Sequence, residues 1–490
     1  MSQNTKQAKA PRRKLPAEAA RILFILLGAN FVVALNETVL GVALPSIMKD
    51  LGISASVGQW LTAAFLLTVA VIIPVTGYLQ SKYSTRVLFF AAMGIFTAGT
   101  LMGALSGTFE ILLAGRVLQA AGTALLMPMF MTTMMKVVPE DMRGQVMGQI
   151  SLVFSVAPAL GPAASGLIVQ AWGWHALFWV VLPISVLAFI VGGKWLHLEH
   201  EPGPVRLDFL SLVLSAIGFS ALIYGLSEVG PAVRGDATIN PIFAIIPGAL
   251  LVTWFVLRQL KLAPQNAALL DLGTFRSRTF SNSILLMVAL MAGLFGTIII
   301  VPIYVQGVLH ASALQTGLMM MPGGLLQGLL GGTAGKLFDR MGARRVLVPA
   351  MAGVAVSVGI MALFGTGTPF VLVFVAYTLL SVSLAFCFPV LFGTAMSAVE
   401  GHLYSHASAT MGVIQQVAGA AGTAGFVAML TVLAGGNTQT ASVTQLSAGS
   451  HGAFLVGLII SIIGVGLAFT INSRPAGAFG ASEEAVIAVH

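Results

Sequence analysis

The chain has 490 residues, of which 57% are apolar and only 8% are charged. Soluble domains carry roughly 25% charged residues, so there is too little polar surface here to cover a water-soluble protein of this length. The net charge of +8 does not by itself point to nucleic acid, because lysine and arginine retained on one side of a membrane give the same excess.

A helix needs about 20 mostly apolar residues to cross a ~30 Å hydrocarbon core. Fourteen runs meet that length, near 22–44, 58–79, 87–106, 110–130, 146–170, 174–196, 209–228, 241–260, 281–308, 313–334, 346–365, 369–393, 407–433 and 452–471. The first run follows a polar, basic tail and is too long for a signal core, so no cleavable signal is expected. A single cysteine, Cys387, excludes an intramolecular disulfide. With the N-terminus inside, the inner connections and tails carry twenty-one lysines and arginines and the outer ones carry two, Lys49 and Arg234. That asymmetry predicts both termini on the cytoplasmic side. Trp172 and Trp174 then fall at the outer interface and Trp195 at the inner one.

In the first run, Leu35-Asn-Glu-Thr-Val-Leu-Gly-Val-Ala-Leu-Pro45 sets a lone acid, Glu37, deep among apolar residues. A charge at such depth costs at least ~2.5–3.5 kcal/mol, which makes it a functional candidate. Asn30, Ala34, Glu37 and Gly41 share one small, polar helix face at 4, 3, 4 spacing, as a cavity wall would. In the fourth run, Ala114-Gly-Arg-Val-Leu-Gln-Ala-Ala-Gly122 places Arg116, Gln119 and Thr123 on one face. Counted from the outer ends at 1.5 Å per residue, Glu37 and Arg116 both lie ~8–10 Å deep and could meet. A guanidinium and burial act in opposite senses on a carboxyl's hold on its proton. An ion pair that only makes insertion tolerable is the plainer alternative.

The fifth run carries Ala157-Pro-Ala-Leu-Gly-Pro-Ala-Ala-Ser-Gly166, in which two prolines bend the rod and small residues permit close packing. Tyr304 and Gln306 in the ninth run, with Gln415 and Gln416 in the thirteenth, are polar candidates for a cavity wall. A shift of about 258 residues lays Gly77-Tyr-Leu-Gln-Ser-Lys-Tyr-Ser-Thr-Arg over Gly335-Lys-Leu-Phe-Asp-Arg-Met-Gly-Ala-Arg, and Leu51-Gly-Ile-Ser-Ala over Leu309-His-Ala-Ser-Ala. One offset serving several stretches predicts two equivalent six-span bundles joined by two inserted spans. The expected divisions are an N-terminal tail at 1–21, a first bundle at 22–205, the inserted pair at 206–262, a second bundle at 263–472 and a C-terminal tail at 473–490.

On these motifs the chain resembles the fourteen-span drug:proton antiporters of the major facilitator superfamily, most closely their lincomycin-resistance type. The resemblance covers essentially all spans and implies an all-α membrane protein of the major facilitator fold, two six-helix bundles plus two inserted transmembrane helices. It implies proton coupling through Glu37 and Arg116, although the commoner first-helix motif has an aspartate where this chain has Asn36. It implies a substrate cavity with Asn30, Asn36, Gln119, Tyr304, Gln306 and Gln415 as candidate lining residues. Pro158, Gly161, Pro162 and Gly166 are similar to the antiporter motif, with Ala157 and Ser165 replacing glycines. Gly335, Asp339, Arg340, Gly342 and Arg344 resemble the cytoplasmic gating loop. Its N-terminal copy is degraded, with Ser81 in place of the acid and Ser84 in place of the glycine, and Asp141 and Arg143 are the available substitutes.

The expected activity is efflux of amphipathic, mostly apolar small molecules in exchange for protons, by a monomer in the cell membrane, with no nucleic-acid partner. Export of a native metabolite with incidental drug efflux is the alternative within transport, and a non-transporting membrane sensor on the same fold is the alternative outside it. No cofactor is implied. There is no G-x-x-x-x-G-K-[ST] nucleotide loop and no nucleophile motif, so neither ATP coupling nor an enzyme is expected. His402 and His406 share a helical face but lack a third ligand, so no metal site is expected.

Overall fold

The computed structural model describes residues 15–471 apart from 54, 140–141, 144–145, 148–160, 162–163, 197–207, 236, 238, 266 and 436–440. The described residues are helical and contain no strand. In chain order the long helices are α1 (Ala17–Leu51), α2 (Ala55–Lys82), α3 (Thr85–Ala104), α4 (Phe109–Val137), α5 (residues 164–172 of the fifth run), α6 (His175–Trp195), α7 (Phe209–Arg234), α8 (Ile242–Leu262), α9 (Arg278–Gly307), α10 (Ala313–Met341), α11 (Ala343–Met361), α12 (Phe370–Ser397), α13 (Tyr404–Leu433) and α14 (Val443–Thr470). Twelve are long and apolar enough to cross a membrane. The glycine-rich α10, which also carries Gln315, Gln327, Lys336 and Asp339, lies outside that set. Each sequence-predicted run coincides with a helix, except that most of 146–170 falls outside the described residues.

The expected repeat is visible in the packing. In the first half α3 packs on α4 and α6, α2 on α4, and α1 on α4 and α6. In the second half α11 packs on α12 and α14, α10 on α12, and α9 on α12 and α14. Every pairing recurs eight helices later. Glycine sets the closest approaches: a Cβ on Gly122 of α4 would lie 2.4 Å from the Ala92 carbonyl of α3, and one on Gly422 of α13 would lie 2.2 Å from the Ala292 carbonyl of α9. Such crossings are how helices associate where lipid removes the hydrophobic drive.

The turns after α2 and α10 diverge as their sequences suggest. Gly342 has φ +80°, a conformation that favours glycine. At the aligned position Ser84 has φ −64° and caps α3 by accepting a hydrogen bond from Val87 N. Arg86 nonetheless donates to the Gly193 carbonyl of α6 at 2.8 Å, while its counterpart Arg344 lies 5.4 Å over the Phe469 ring of α14. Each arginine thus ties the third helix of its half to the sixth.

The α7–α8 hairpin lies at the junction of the halves, where α7 packs along both α2 and α13. The hairpin is fastened at the membrane face where α1 begins. Arg258 makes a bidentate pair with Asp208, the N-cap of α7, at 2.6 and 2.8 Å. Buried Gln259 donates to Ser211 Oγ at 2.7 Å and accepts from the backbone N–H of Leu269 and Leu270 at 2.7 and 3.3 Å. The linker reached in this way touches His406 of α13, whose Nδ1 lies 3.2 Å from Asp271 N. His406 in turn packs against Gly77 of α2.

Candidate functional site

A cavity of about 1120 Å³ lies between the halves, lined by residues of α1, α2, α4 and α5 on one side and of α9, α10, α12 and α13 on the other. Ligand pockets commonly hold ≈ 300–1,000 Å³, so this one suits a molecule of drug size or larger. The wall is mostly apolar. Met127, Met131, Met291, Met321 and Met411 face one another across it, with Phe295, Phe388 and Phe392 among them. Methionine is unbranched and polarizable and adapts its shape to different partners. Gln170, Gln327, Gln415, Gln416 and Tyr377 add scattered polar groups. Among the described lining residues Glu37 is the one carboxylate, and no lysine or arginine joins it.

Glu37 stands exposed to the cavity, while its neighbour Asn36 is buried. One residue along a helix is a turn of ~100°, and that turn separates their roles. Asn36 Oδ1 accepts from Arg116 Nη1 at 3.2 Å. The same nitrogen donates to Gln119 Oε1 at 3.1 Å, and Gln119 Nε2 donates to Thr100 Oγ1 at 2.9 Å. Arg116 is 2% exposed, and its guanidinium lies 4.3 Å from the centroid of the Phe65 ring. Arg116 therefore belongs to a buried chain through α1, α4 and α3. Its charge acts on Glu37 through space, without an ion pair between the two among the described residues.

The candidate cavity residues divide accordingly. Asn30 and Gln415 line the cavity, although the Asn30 amide also donates to the Leu26 carbonyl at 2.8 Å. The other four do not line it. Asn36 and Gln119 are spent on Arg116. Tyr304 is fully buried, with its hydroxyl donating to the Gly365 carbonyl at 2.7 Å and its ring stacked on Phe364. Gln306 is exposed elsewhere, because one residue's step carries each α9 candidate off the cavity face. Gln170, Gln327 and Tyr377 were not singled out from sequence; a polar residue inside an apolar run was the available signal, and it does not say which way a helix is turned. Within the antiporter-like motif Gly166 lines the cavity and Gly161 is buried, while Pro158 and Pro162 lie outside the described residues. Ser165 Oγ donates to the Val39 carbonyl at 2.7 Å, holding α5 against α1.

Polar contacts between the halves gather at the face where α1 begins. Thr132 and Ser408 hydroxyls lie 3.1 Å apart, Ser81 and Ser405 hydroxyls 3.5 Å apart, and Arg143 sits 6.0 Å over the Tyr404 ring. The three join α2, the end of α4 and the connection after it to the foot of α13. Arg340 and Arg344, at the turn after α10, are exposed, and Arg344 contacts its own half; Asp339 and Gly335 lie on the last turns of α10 and Gly342 at its end. Arg143 lies over Tyr404 of the other half, and Asp141 lies outside the described residues. Trp172 is exposed, as an interface residue would be, whereas Trp174 is buried and donates to Asp50 Oδ2 at 2.9 Å. Among the described residues no cluster of His, Cys, Asp and Glu could hold a metal ion.

Two six-helix halves enclosing a shared central cavity define a membrane transporter rather than an enzyme. Residues 26–423 match the Major Facilitator Superfamily, and the chain belongs to that family. It is 35% identical over 473 residues to the uncharacterized MFS-type transporter YcnB of Bacillus subtilis, covering 94% of this chain and 97% of that one. It is 34% identical over 451 residues to the lincomycin resistance protein LmrB of Listeria monocytogenes, covering 91% and 95%. Among solved structures, a double-tryptophan mutant of XylE shares the fold with a TM-score of 0.65 at 13% identity, covering 93% of this chain and 96% of that one. The human organic anion transporter MFSD10 does so with a TM-score of 0.62 at 16% identity, covering 92% and 100%.

Proposed function

We propose that the protein is a proton-coupled exporter of amphipathic, mostly apolar small molecules. The observation that carries this reading is a single carboxylate, Glu37, exposed in a large apolar cavity shared by both halves. An ionisable group so placed is reached by water only from the side to which the cavity opens. Rocking the halves exchanges that side. Glu37 takes a proton from outside and gives it up inside, and the substrate occupies the cavity in the opposite phase. The charge distribution of the connections supports cytoplasmic termini in the cell membrane. On that orientation the contacts among α2, α4 and α13 belong to the cytoplasmic seal. Relatives named for lincomycin resistance support a drug-like substrate. The adaptable methionine wall suits several such molecules better than one.

Purified protein in liposomes with an imposed pH gradient provides the test. Wild type couples substrate efflux to proton flux. Glu37→Gln, present at the same density, loses gradient-driven efflux, and undiminished efflux would move the coupling to another group. Adding Asn36→Asp to Glu37→Gln does not restore efflux, because the new carboxylate meets Arg116 instead of the cavity. Restoration would mean that the two positions are equivalent.

A further inference from the structure

The polar side chains of the cavity wall are of two kinds. Thr123, Ser381 and Ser408 turn their hydroxyls back on their own helices, donating to the carbonyls of Gln119, Tyr377 and Ser405 at 2.8, 2.9 and 3.0 Å. The Asn30 amide does the same with Leu26. Gln327 of α10 and Gln415 and Gln416 of α13 also line the cavity, yet their amides bond to no protein group among the described residues. Each amide carries two N–H donors and an oxygen that accepts twice. That capacity is turned toward whatever fills the cavity.

The three amides stand at one level. Gln327 lies fourteen residues after Ala313 at the start of α10, and Gln415 and Gln416 lie eighteen and seventeen before Leu433 at the end of α13. At ~1.5 Å per residue this is ~21–27 Å along each helix from the face opposite the N-terminus. Glu37, fourteen residues before Leu51, shares the level. On one side of this belt the wall carries Leu318 and Met321, and on the other Met131 and Met411. The belt is also unlike in the two halves. The 258-residue repeat lays Glu37 over Phe295 and Val69 over Gln327, and all four line the cavity. At this level the first half presents a carboxylate and the second half presents amides.

A wholly apolar molecule filling the space would strip water from the three amides and give nothing in return. Sites with hydrogen-bonding groups to satisfy reject analogues that lack the partner, because the buried groups are left unpaired. An anion would meet Glu37 and no lysine or arginine among the described lining residues.

We propose that Gln327, Gln415 and Gln416 select the exported molecule, which is of drug size, carries several hydroxyl, carbonyl or amide groups on an apolar body, and bears no negative charge. This deepens the efflux reading and rests on it for the direction of travel. Recognition itself is tested without a gradient.

Three probes share one apolar body: cortisol, progesterone, which lacks its three hydroxyls, and cortisol hemisuccinate, which adds a carboxylate. Each is bound to purified protein in detergent micelles by equilibrium dialysis, with protein-free micelles subtracted. Wild type should hold cortisol several-fold more tightly than either of the others. Gln327→Leu, Gln415→Leu and Gln416→Leu should each weaken cortisol about two- to tenfold. Progesterone should bind them as it binds wild type or more tightly, which also shows that the cavity is intact. Gln306→Leu, at an exposed site off the cavity, is the reference. Progesterone bound as tightly as cortisol by wild type, or a cortisol preference that survives all three substitutions, would leave the amides to water and overturn the proposal. Absence of cortisol binding would overturn it equally, and hemisuccinate bound as tightly as cortisol would overturn the exclusion of anions. A protein that gives the expected pattern yet fails to move cortisol along a pH gradient keeps the recognition and loses the efflux reading. One that pumps other molecules and shows no cortisol preference loses the recognition alone.

Discussion

Gln259→Leu tests whether one buried amide fastens the inserted hairpin to the rest of the protein. Gln259 is fully buried and holds three groups at once: the Ser211 hydroxyl and the backbone N–H of Leu269 and Leu270. Leucine keeps most of the volume and removes every bond. Ser211 retains its bond to Asp208, so its loss is small. The two backbone N–H groups, on residues 0% and 3% exposed, are left without acceptors. An orphaned buried donor costs about 1–3 kcal/mol. The Leu269 bond, at 2.7 Å, merits that range, and the longer Leu270 bond its lower end. The sum is about 2–4 kcal/mol, taken from the free energy of local opening rather than of global unfolding. At 1.4 kcal/mol per tenfold, amide exchange across residues 267–271 should accelerate between about thirtyfold and several-hundredfold. Hydrogen–deuterium exchange with mass spectrometry reads this directly, with peptides from α3 and α11 as internal references. Unchanged exchange in the linker, in a protein whose reference peptides are also unchanged, would refute the latch.

Two further predictions concern stability. The bidentate contact with Arg258, reinforced by Ser211, holds the Asp208 carboxyl down at about 2. The fold therefore favours the ionised form. The stabilisation is complete above the unfolded value of about 3.9 and is lost as pH falls through about 2. The difference in melting temperature between wild type and Asp208→Asn should be constant from neutral pH to about 4 and shrink below it; a difference independent of pH down to about 2 would assign the stabilisation to something other than this charge. Gly122→Ala drives a methyl to 2.4 Å from the Ala92 carbonyl and should cost about 1–3 kcal/mol in thermal or denaturant unfolding. Gly166→Ala enters open space and should cost little, so equal effects would contradict the packing described for α3 and α4.

Much of this architecture is legible along the chain. Glu37 and Arg116 stand out from sequence alone because a charge in an apolar run is conspicuous wherever it points. Arg143 is legible as a substitute for the degraded turn at Ser81 and Ser84, and it lies over Tyr404 of the other half. The partners of these residues are not legible. The equal depths of Glu37 and Arg116 suggest that they meet, yet Arg116 gives its bonds to Asn36 and Gln119. Tyr304 reads as a wall residue and is sealed beneath Phe364, whereas Gln327 and Tyr377 line the cavity.

The sequence by itself determined that the chain is a multi-pass helical membrane protein, where its long apolar helices lie, and the presence of one deep acid. These follow from hydropathy, loop charge and spacing, which are local or additive along the chain. Only the tertiary structure decided which side of each helix meets the cavity, which buried groups bond to one another, and that the hairpin covers the seam between α2 and α13. A one-residue difference turns a side chain by about 100°, and the rotation of each helix is set by the glycines and side chains of neighbours that lie far away in sequence.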